Sequence, residues 1–281
     1  MIRLALRVDR AHAEVALAEL LELAPGGVEE VDLGDAVEYA VYGPPGELPV
    51  LPDLKAAVGD ALIEVTTSEL PDDWSERWKQ FHQPLVIGPA DPRLAVRPPW
   101  EPPIGADVEL VIDPAQAFGT GAHATTRLCL ELLLSLADAG RAGGGQGPLL
   151  DLGCGSGVLA IAAAKLGFDP VLAVDFDPLS VEATRDNAAV NAVALDVACC
   201  DLRTDPVPAA PTVLANLLRP LLLDYARRLG EPGAPPAPRT LIASGLLIHE
   251  ADEIAAAFAA HGLHERDRRE RGEWAALLLT G

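Results

Sequence analysis

Three observations predict an α/β protein of two parts. From residue 149 onward, strand and helix segments alternate and end on a strand–turn–strand pair around Gly272. That pattern predicts a Rossmann-like, doubly wound, mostly parallel sheet with a C-terminal antiparallel hairpin. Residues 1–68 instead run strand, helix, strand, strand, helix, strand. This is the order of a small ferredoxin-like α+β domain. Finally, the glycine-rich turn Asp151-Leu152-Gly153-Cys154-Gly155-Ser156-Gly157 stands where an apolar strand passes into a helix. The expected division is residues 1–68, a linker helix over 69–83, and a larger domain over 84–281.

Taken in order, Ile2 to Val8 reads as a strand and Ala11 to Leu23 as a helix, by its apolar spacing. Ala24-Pro25-Gly26-Gly27 stops that helix. Val28 to Leu33 and Val37 to Tyr42 read as strands around Gly34-Asp35. Pro52 opens a helix to Leu62, and Ile63 to Thr67 closes the unit. Residues 1–68 hold four basic and thirteen acidic side chains and no catalytic constellation. We read them as a substrate-recognition domain. In the linker, Asp72 or Asp73 can cap a short helix whose Trp74, Trp78 and Phe81 share one face.

Leu85-Val86-Ile87, Leu94-Ala95-Val96 and Val108 to Ile112 read as strands, and Thr125 to Ala137 as a helix. After the glycine-rich stretch Arg141 to Pro148, strands are expected at Leu149–Leu152, Val171–Val174, near Val197, at Val213–Ala215 and at Leu241–Ala243. Helices are expected over Gly157–Leu166, Leu179–Val190, Pro220–Leu229 and His249–Ala260. The hairpin pairs Leu263–Glu270 with Trp274–Thr280.

Composition narrows the function. The 281 residues carry 21 basic and 42 acidic side chains, a formal charge of −21. Such a surface repels phosphate backbones, which disfavours a nucleic-acid binder and suits a cationic partner. Cys129, Cys154, Cys199 and Cys200 form no metal-binding spacing and read as small buried hydrophobes of a reducing compartment. No metal is expected. No signal pattern or membrane-length apolar run occurs, so the cytoplasm is the expected location.

Four segments carry chemistry. Glycines at 153, 155 and 157 give G-x-G-x-G rather than the dinucleotide spacing G-x-G-x-x-G, with Asp151 two residues ahead. Asp175, at the end of the next strand, can accept hydrogen bonds from ribose hydroxyls, while Asp177 before Pro178 suits a helix cap. Asn216 ends a later strand on the same sheet edge. Its carbonyl can accept from an amine, with a helix N-cap as the plainer alternative. The segment Phe118-Gly119-Thr120-Gly121-Ala122-His123-Ala124-Thr125-Thr126 joins a strand to a helix.

The glycine turn resembles motif I of class I methyltransferases, which use S-adenosylmethionine. Phe118 to Thr126, the glycine turn, Val174-Asp175-Phe176-Asp177-Pro178 and Ala215-Asn216-Leu217-Leu218 together resemble the ribosomal protein L11 methyltransferase family. Trp74 to Phe81 and Val96 to Trp100 are similar to it as well, whereas the first domain matches only loosely. Ala124 stands where the family usually has proline, and Leu217 where isoleucine is common. The resemblance implies cofactor contacts at Thr126, Gly153, Gly155, Asp175 and Asn216. It implies that Phe118 and His123 belong to a loop closing over cofactor and amine, with Asn216 catalytic.

The implied reaction is N-methylation of Lys side chains or the N-terminal α-amine of ribosomal protein L11, a basic partner, by a monomer. Alternatives left by the sequence are another amine or amide methyltransferase, acting on release-factor glutamine or a small molecule, and a non-catalytic cofactor-binding module. A hinge at 69–83 would let one recognition domain present several amines.

Overall fold

The computed structural model describes residues 2–13, 16, 29–43, 62–69, 84–87, 93–113, 123–141, 146–234 and 236–281. The chain divides into two compact units, Met1–Phe81 and His82–Gly281.

In the first unit, β1 (Ile2–Asp9), β2 (Glu29–Asp32), β3 (Ala36–Gly43) and β4 (Leu62–Glu69) form one sheet in the order β2-β3-β1-β4. Every neighbouring pair is antiparallel, which is the ferredoxin-like arrangement. Alternation along β1 sends Leu4, Leu6 and Val8 to one side, where they meet Val37 and Tyr39. The Tyr39 hydroxyl donates to the Ala13 carbonyl at 3.0 Å, so its buried polar end is satisfied. Most of the helix expected over Ala11–Leu23, that expected over 52–61 and the linker helix over 69–83 lie outside the described residues. Leu62, expected as the last helical residue, begins β4 instead.

The second unit opens with a three-stranded sheet of β5 (Leu85–Ile87), β6 (Leu94–Arg97) and β7 (Val108–Val111), antiparallel then parallel. The Arg97 guanidinium reaches Glu109 at 2.5 Å, and the backbone N–H groups of Ile104 and Gly105 donate to the same carboxylate. That carboxylate thus folds the proline-rich turn after β6 back onto the sheet. The free edge at β7 is met by a side chain. Asn191 accepts from the Val111 N–H at 2.9 Å and donates to the Val111 carbonyl at 2.6 Å.

After α1 (Ala124–Arg141) the chain alternates. The elements are β8 (Leu149–Leu152), α2 (Val158–Lys165), β9 (Val171–Asp175), α3 (Pro178–Val190), β10 (Asp196–Cys199), β11 (Thr212–Asn216), α4 (Arg219–Leu229), β12 (Thr240–Leu247), α5 (Ala251–Ala259), β13 (His264–Arg271) and β14 (Trp274–Thr280). The strands order as β10-β9-β8-β11-β12-β14-β13. All neighbours are parallel up to β12, and β14 runs antiparallel to both β12 and β13.

Strand alternation splits the apolar residues between two layers. Leu149, Ala173, Leu214, Ile242 and Ala276 face α1, α2 and the small sheet. Their neighbours Leu150, Val174, Val213, Leu241 and Leu277 face α4 and α5. Both faces are therefore covered, as a parallel sheet requires. Helix α2 is apolar from Val158 to Ala164, and Val158 to Ala163 are all buried, as expected of a helix enclosed between sheet and neighbouring helices.

In the second unit three expectations need correction. The strand expected over Leu241–Ala243 runs on to Leu247, because Gly245 allows a bulge that carries it past the break. The helix expected from His249 starts as a 3-10 turn over Ile248–Glu250. Cys199 is exposed, whereas Cys129, Cys154 and Cys200 are buried. Among the described residues, no helix is long and apolar enough to cross a membrane.

Candidate active site

The strand order reverses between β8 and β11, and ligands of open α/β sheets bind where the carboxyl ends diverge at such a point. The turn from β8 into α2 lies there. Its backbone is fixed by long-range bonds: the N–H groups of Gly153 and Cys154 both donate to the Val174 carbonyl, at 2.8 and 3.0 Å. Gly153 and Gly157 have φ of 73° and 80°, a region L side chains rarely adopt. Neither has space for a Cβ, which would come within 2.5 Å of Leu217 Cδ2 at Gly153 and 2.8 Å of Thr184 Cγ2 at Gly157. Helix α3 supports the turn from beneath. Thr184 donates to the Gly155 carbonyl at 2.9 Å and Asn187 to the Ser156 carbonyl at 2.9 Å. The other end of the Asn187 amide accepts from the Asp113 N–H at 3.1 Å, tying in the segment after β7.

Asp175 ends β9 as expected, and it has a task the sequence did not disclose. One carboxylate oxygen accepts from the Gly155 N–H at 2.9 Å and the other from the Asp177 N–H at 3.1 Å. Asp175 therefore fastens the glycine turn to β9. A carboxylate offers about four acceptor positions, so capacity for a ligand hydroxyl remains. Asp177 caps α3, accepting from the Leu179 N–H at 3.0 Å. Asp151 lies fully buried behind the turn. Its Oδ2 accepts from the Ala160 N–H at 3.1 Å, and its Oδ1 has no hydrogen-bond partner among the described residues. Burial pushes the Asp151 carboxyl up to about 7 against the pull of that hydrogen bond, and the charge of Asp175 adds to the rise.

On the other side of the reversal, Asn216 ends β11. The cap of α4 is Leu218, with no side-chain capping bond, so Asn216 is not the helix cap. Its Nδ2 lies 3.5 Å from Thr126 Oγ1, and no donor among the described residues reaches its Oδ1. Thr126 is fully buried in the first turn of α1.

These residues meet in one cavity of about 330 Å³. Small-molecule sites occupy about 300–1,000 Å³. Thr126, Gly153, Gly155, Asp175 and Asn216 all line it, as do the unforeseen Phe176, Leu202, Arg203 and Leu217. Among the described residues its charged lining is Asp175, Asp177 and Asp201 against Arg203. The excess of acid suits a cationic ligand. The glycine cradle, an acid at the end of β9 and apolar sides suit one with a ribose and a flat base. The residues present thus fit S-adenosylmethionine.

His123 is not among the lining residues. Its Nδ1 lies 2.8 Å from Thr125 Oγ1 and accepts from the Thr125 N–H at 3.4 Å, which caps the start of α1. Its ring packs edge-on against Trp274 with centroids 4.8 Å apart. Burial lowers its pKa below the usual histidine range, which favours the neutral imidazole. Phe118 lies outside the described residues. Trp274 carried no signal beyond its place in a hairpin. The residues after β10 had one, since Leu202 and Arg203 follow a strand on the same carboxyl edge. Gly245 had another, an isolated glycine inside a strand pattern, which marks a bulge or a close backbone approach.

Residues 51–280 match the model of the family described as ribosomal protein L11 methyltransferase. The chain is 42% identical over 227 residues to the protein of that name from Pelobacter propionicus, covering 77% of this chain and 68% of that one. A protein of the same name from Syntrophotalea carbinolica is 34% identical over 307 residues, covering 96% and 94%. The crystal structure of ribosomal protein L11 methylase from Lactobacillus delbrueckii subsp. bulgaricus superposes with a TM-score of 0.57 at 31% identity, covering 67% of this chain and 94% of that one.

Proposed function

The chain belongs to the ribosomal protein L11 methyltransferase family, and from that premise we propose that its cleft methylates amines of ribosomal protein L11, on Lys side chains or the N-terminal α-amine. The enzyme is an S-adenosylmethionine-dependent protein methyltransferase. The observation supporting the site assignment is the convergence of Thr126, Gly153, Gly155, Asp175 and Asn216 on one acid-rimmed cavity at the reversal of the sheet.

When bound, S-adenosylmethionine supplies an electrophilic methyl group on a sulfonium. The backbone of Gly153 and Gly155 would hold its amino-acid end, Asp175 its ribose, and Thr126 with Asn216 the side nearest the amine. An amine must be neutral to attack. A free Lys has a pKa of about 10.4 and an α-amine about 7.7–8.0. Burial in a cleft disfavours the ammonium form. The Asn216 Oδ1 then accepts an amine N–H and turns the nitrogen lone pair toward the cleft. His123, whose burial favours the neutral imidazole, and Phe118 belong to the segment that leads into Thr126. The ammonium proton passes to solvent water before attack, so no side chain is assigned as general base. Alignment of this kind is worth up to about 7–11 kcal/mol in favourable systems. We further read the protein as a cytoplasmic monomer that recognises the basic substrate through its acidic surface, without nucleic-acid contacts.

The test is transfer of labelled methyl groups from S-adenosylmethionine to purified L11, with the sites mapped by mass spectrometry. Label on L11 lysines or its N-terminus is the expected result. Cofactor binding without label on L11, or label on release-factor glutamine instead, would overturn it.

A further inference from the structure

We propose that Ser244 and Gly245, at the bulge near the end of β12, are positioning residues that hold Asn216 and the first turn of α1 in one fixed frame. The inference rests on the methyltransferase reading of the cleft.

Asn216 is followed by Leu217, whose backbone crosses directly over Gly245. The Leu217 N–H donates to the Ser244 carbonyl at 3.0 Å, a bond that continues the β11–β12 ladder one step past Asn216. At Gly245 the β12–β14 register shifts and φ is +84°. A Cβ there would lie 2.4 Å from the Leu217 carbonyl oxygen, 2.8 Å from its carbon and 3.1 Å from its nitrogen. All three contacts are backbone, so no side-chain rotation relieves them. Any larger residue must push the Leu217 peptide, and Asn216 with it, away from β12.

Ser244 ties in the opposite wall. It is fully buried, and its hydroxyl lies 3.3 Å from the Thr125 carbonyl and 3.2 Å from the Ala275 carbonyl. Thr125 precedes Thr126, whose hydroxyl meets Asn216. One dipeptide therefore touches both supports of the acceptor side: its backbone carries Leu217, and its hydroxyl reaches the start of α1. The Leu217 side chain completes the arrangement by lying over Gly153, where a Cβ would meet its Cδ2 at 2.5 Å. Leu217 is thus held between two glycines, by its backbone at Gly245 and by its side chain at Gly153. The spacing between Asn216 and the glycine turn follows from that grip.

A displacement of about 1 Å in a positioning group can cost about 100-fold in rate. Gly245→Ala should lower kcat by about that factor while the affinity for S-adenosylhomocysteine changes less than about threefold. Gly272→Ala is the matched control. It introduces the same kind of backbone strain at φ +60°, but no described residue other than its chain neighbours comes within 4 Å of its Cβ, so kcat should stay at the parent value. Ser244→Ala, which keeps the backbone bond to Leu217, is the milder variant should Gly245→Ala fail to fold. We expect it to lower kcat by about threefold to tenfold.

A double-mutant cycle with Asn216→Ala separates positioning from general damage. If Gly245 and Ser244 act through Asn216, adding either substitution to Asn216→Ala should lower kcat little further. Full additivity in that cycle, parent kcat in Gly245→Ala, or a loss of kcat matched by an equal loss of cofactor affinity would each overturn the proposal. Absence of methyl transfer in the parent protein would instead defeat the reading on which it rests.

Discussion

The two walls of the cleft are built on opposite plans. On the β8–β9 side the wall is backbone. The glycine turn is fastened to Val174, Asp175, Thr184 and Asn187 by at least five hydrogen bonds. On the β11–β12 side the wall is a side chain, Asn216, whose one bond to a described residue is the 3.5 Å approach to Thr126. The first wall has its shape before any ligand arrives. The second derives its precision from the packing of Leu217 against Gly245. This suits the division of labour: a cofactor that returns every cycle is met by a rigid cradle, and the reacting amine by one oriented acceptor.

Three substitutions test that contrast. The largest effect is expected for Asn216→Ala, which should lower kcat about 100-fold, more than it lowers cofactor affinity, with unchanged thermal stability. Parent turnover at saturating cofactor would break the assignment of the second wall. Asp175→Ala should act on both binding and fold. Cofactor affinity should fall at least about tenfold by calorimetry. Tm should also drop by several degrees, because two backbone N–H groups lose a charged acceptor worth about 1.5–3 kcal/mol each. An unchanged Tm would mean that the turn does not depend on Asp175.

The effect smallest at the cleft itself concerns Asp151, which lies behind the turn and outside the cavity lining. Its folded pKa, raised to about 7, exceeds the unfolded value of about 3.9. The unfolded chain therefore binds fewer protons between these values. The stability this group contributes below about pH 4 is lost as pH rises toward 7, at most about 1.4 kcal/mol per unit. Asp151→Asn should remove that slope in denaturant titrations across pH 4–7. A slope equal to that of the parent would show Asp151 to be ionised throughout.

The same contrast explains what the sequence made legible. The glycine turn, Asp175 and the Asp177 cap are local signals, because the residues that need special backbone or a capping oxygen sit beside the structure they serve. Asn216 was readable from its place at a strand end. The alternative of a helix cap fell only when Leu218 was seen to hold that position. What stayed hidden was contact between segments far apart in the chain. Nothing near Gly245 says that Leu217 passes over it. Nothing near Trp274 says that His123 packs on it, and nothing in α3 says that Asn187 joins Asp113 to Ser156. The doubly wound order followed from alternating strands and helices, whereas the parallel pairing of β6 with β7 had no local mark. Asp175 shows a third case, in which the residue was found and half of its work was not.

The amide of Asn191 at the border of β7 bears on how the protein avoids its own kind. A strand border with open donors and acceptors is a template on which another chain can add, the first step of edge-to-edge aggregation. At Val111 both groups are already taken by one side chain, which imitates the next strand without being one. Asn191→Leu would leave that border unpaired without removing any residue of the cleft. The expected loss is therefore colloidal, a protein that keeps its turnover when dilute and self-associates when concentrated.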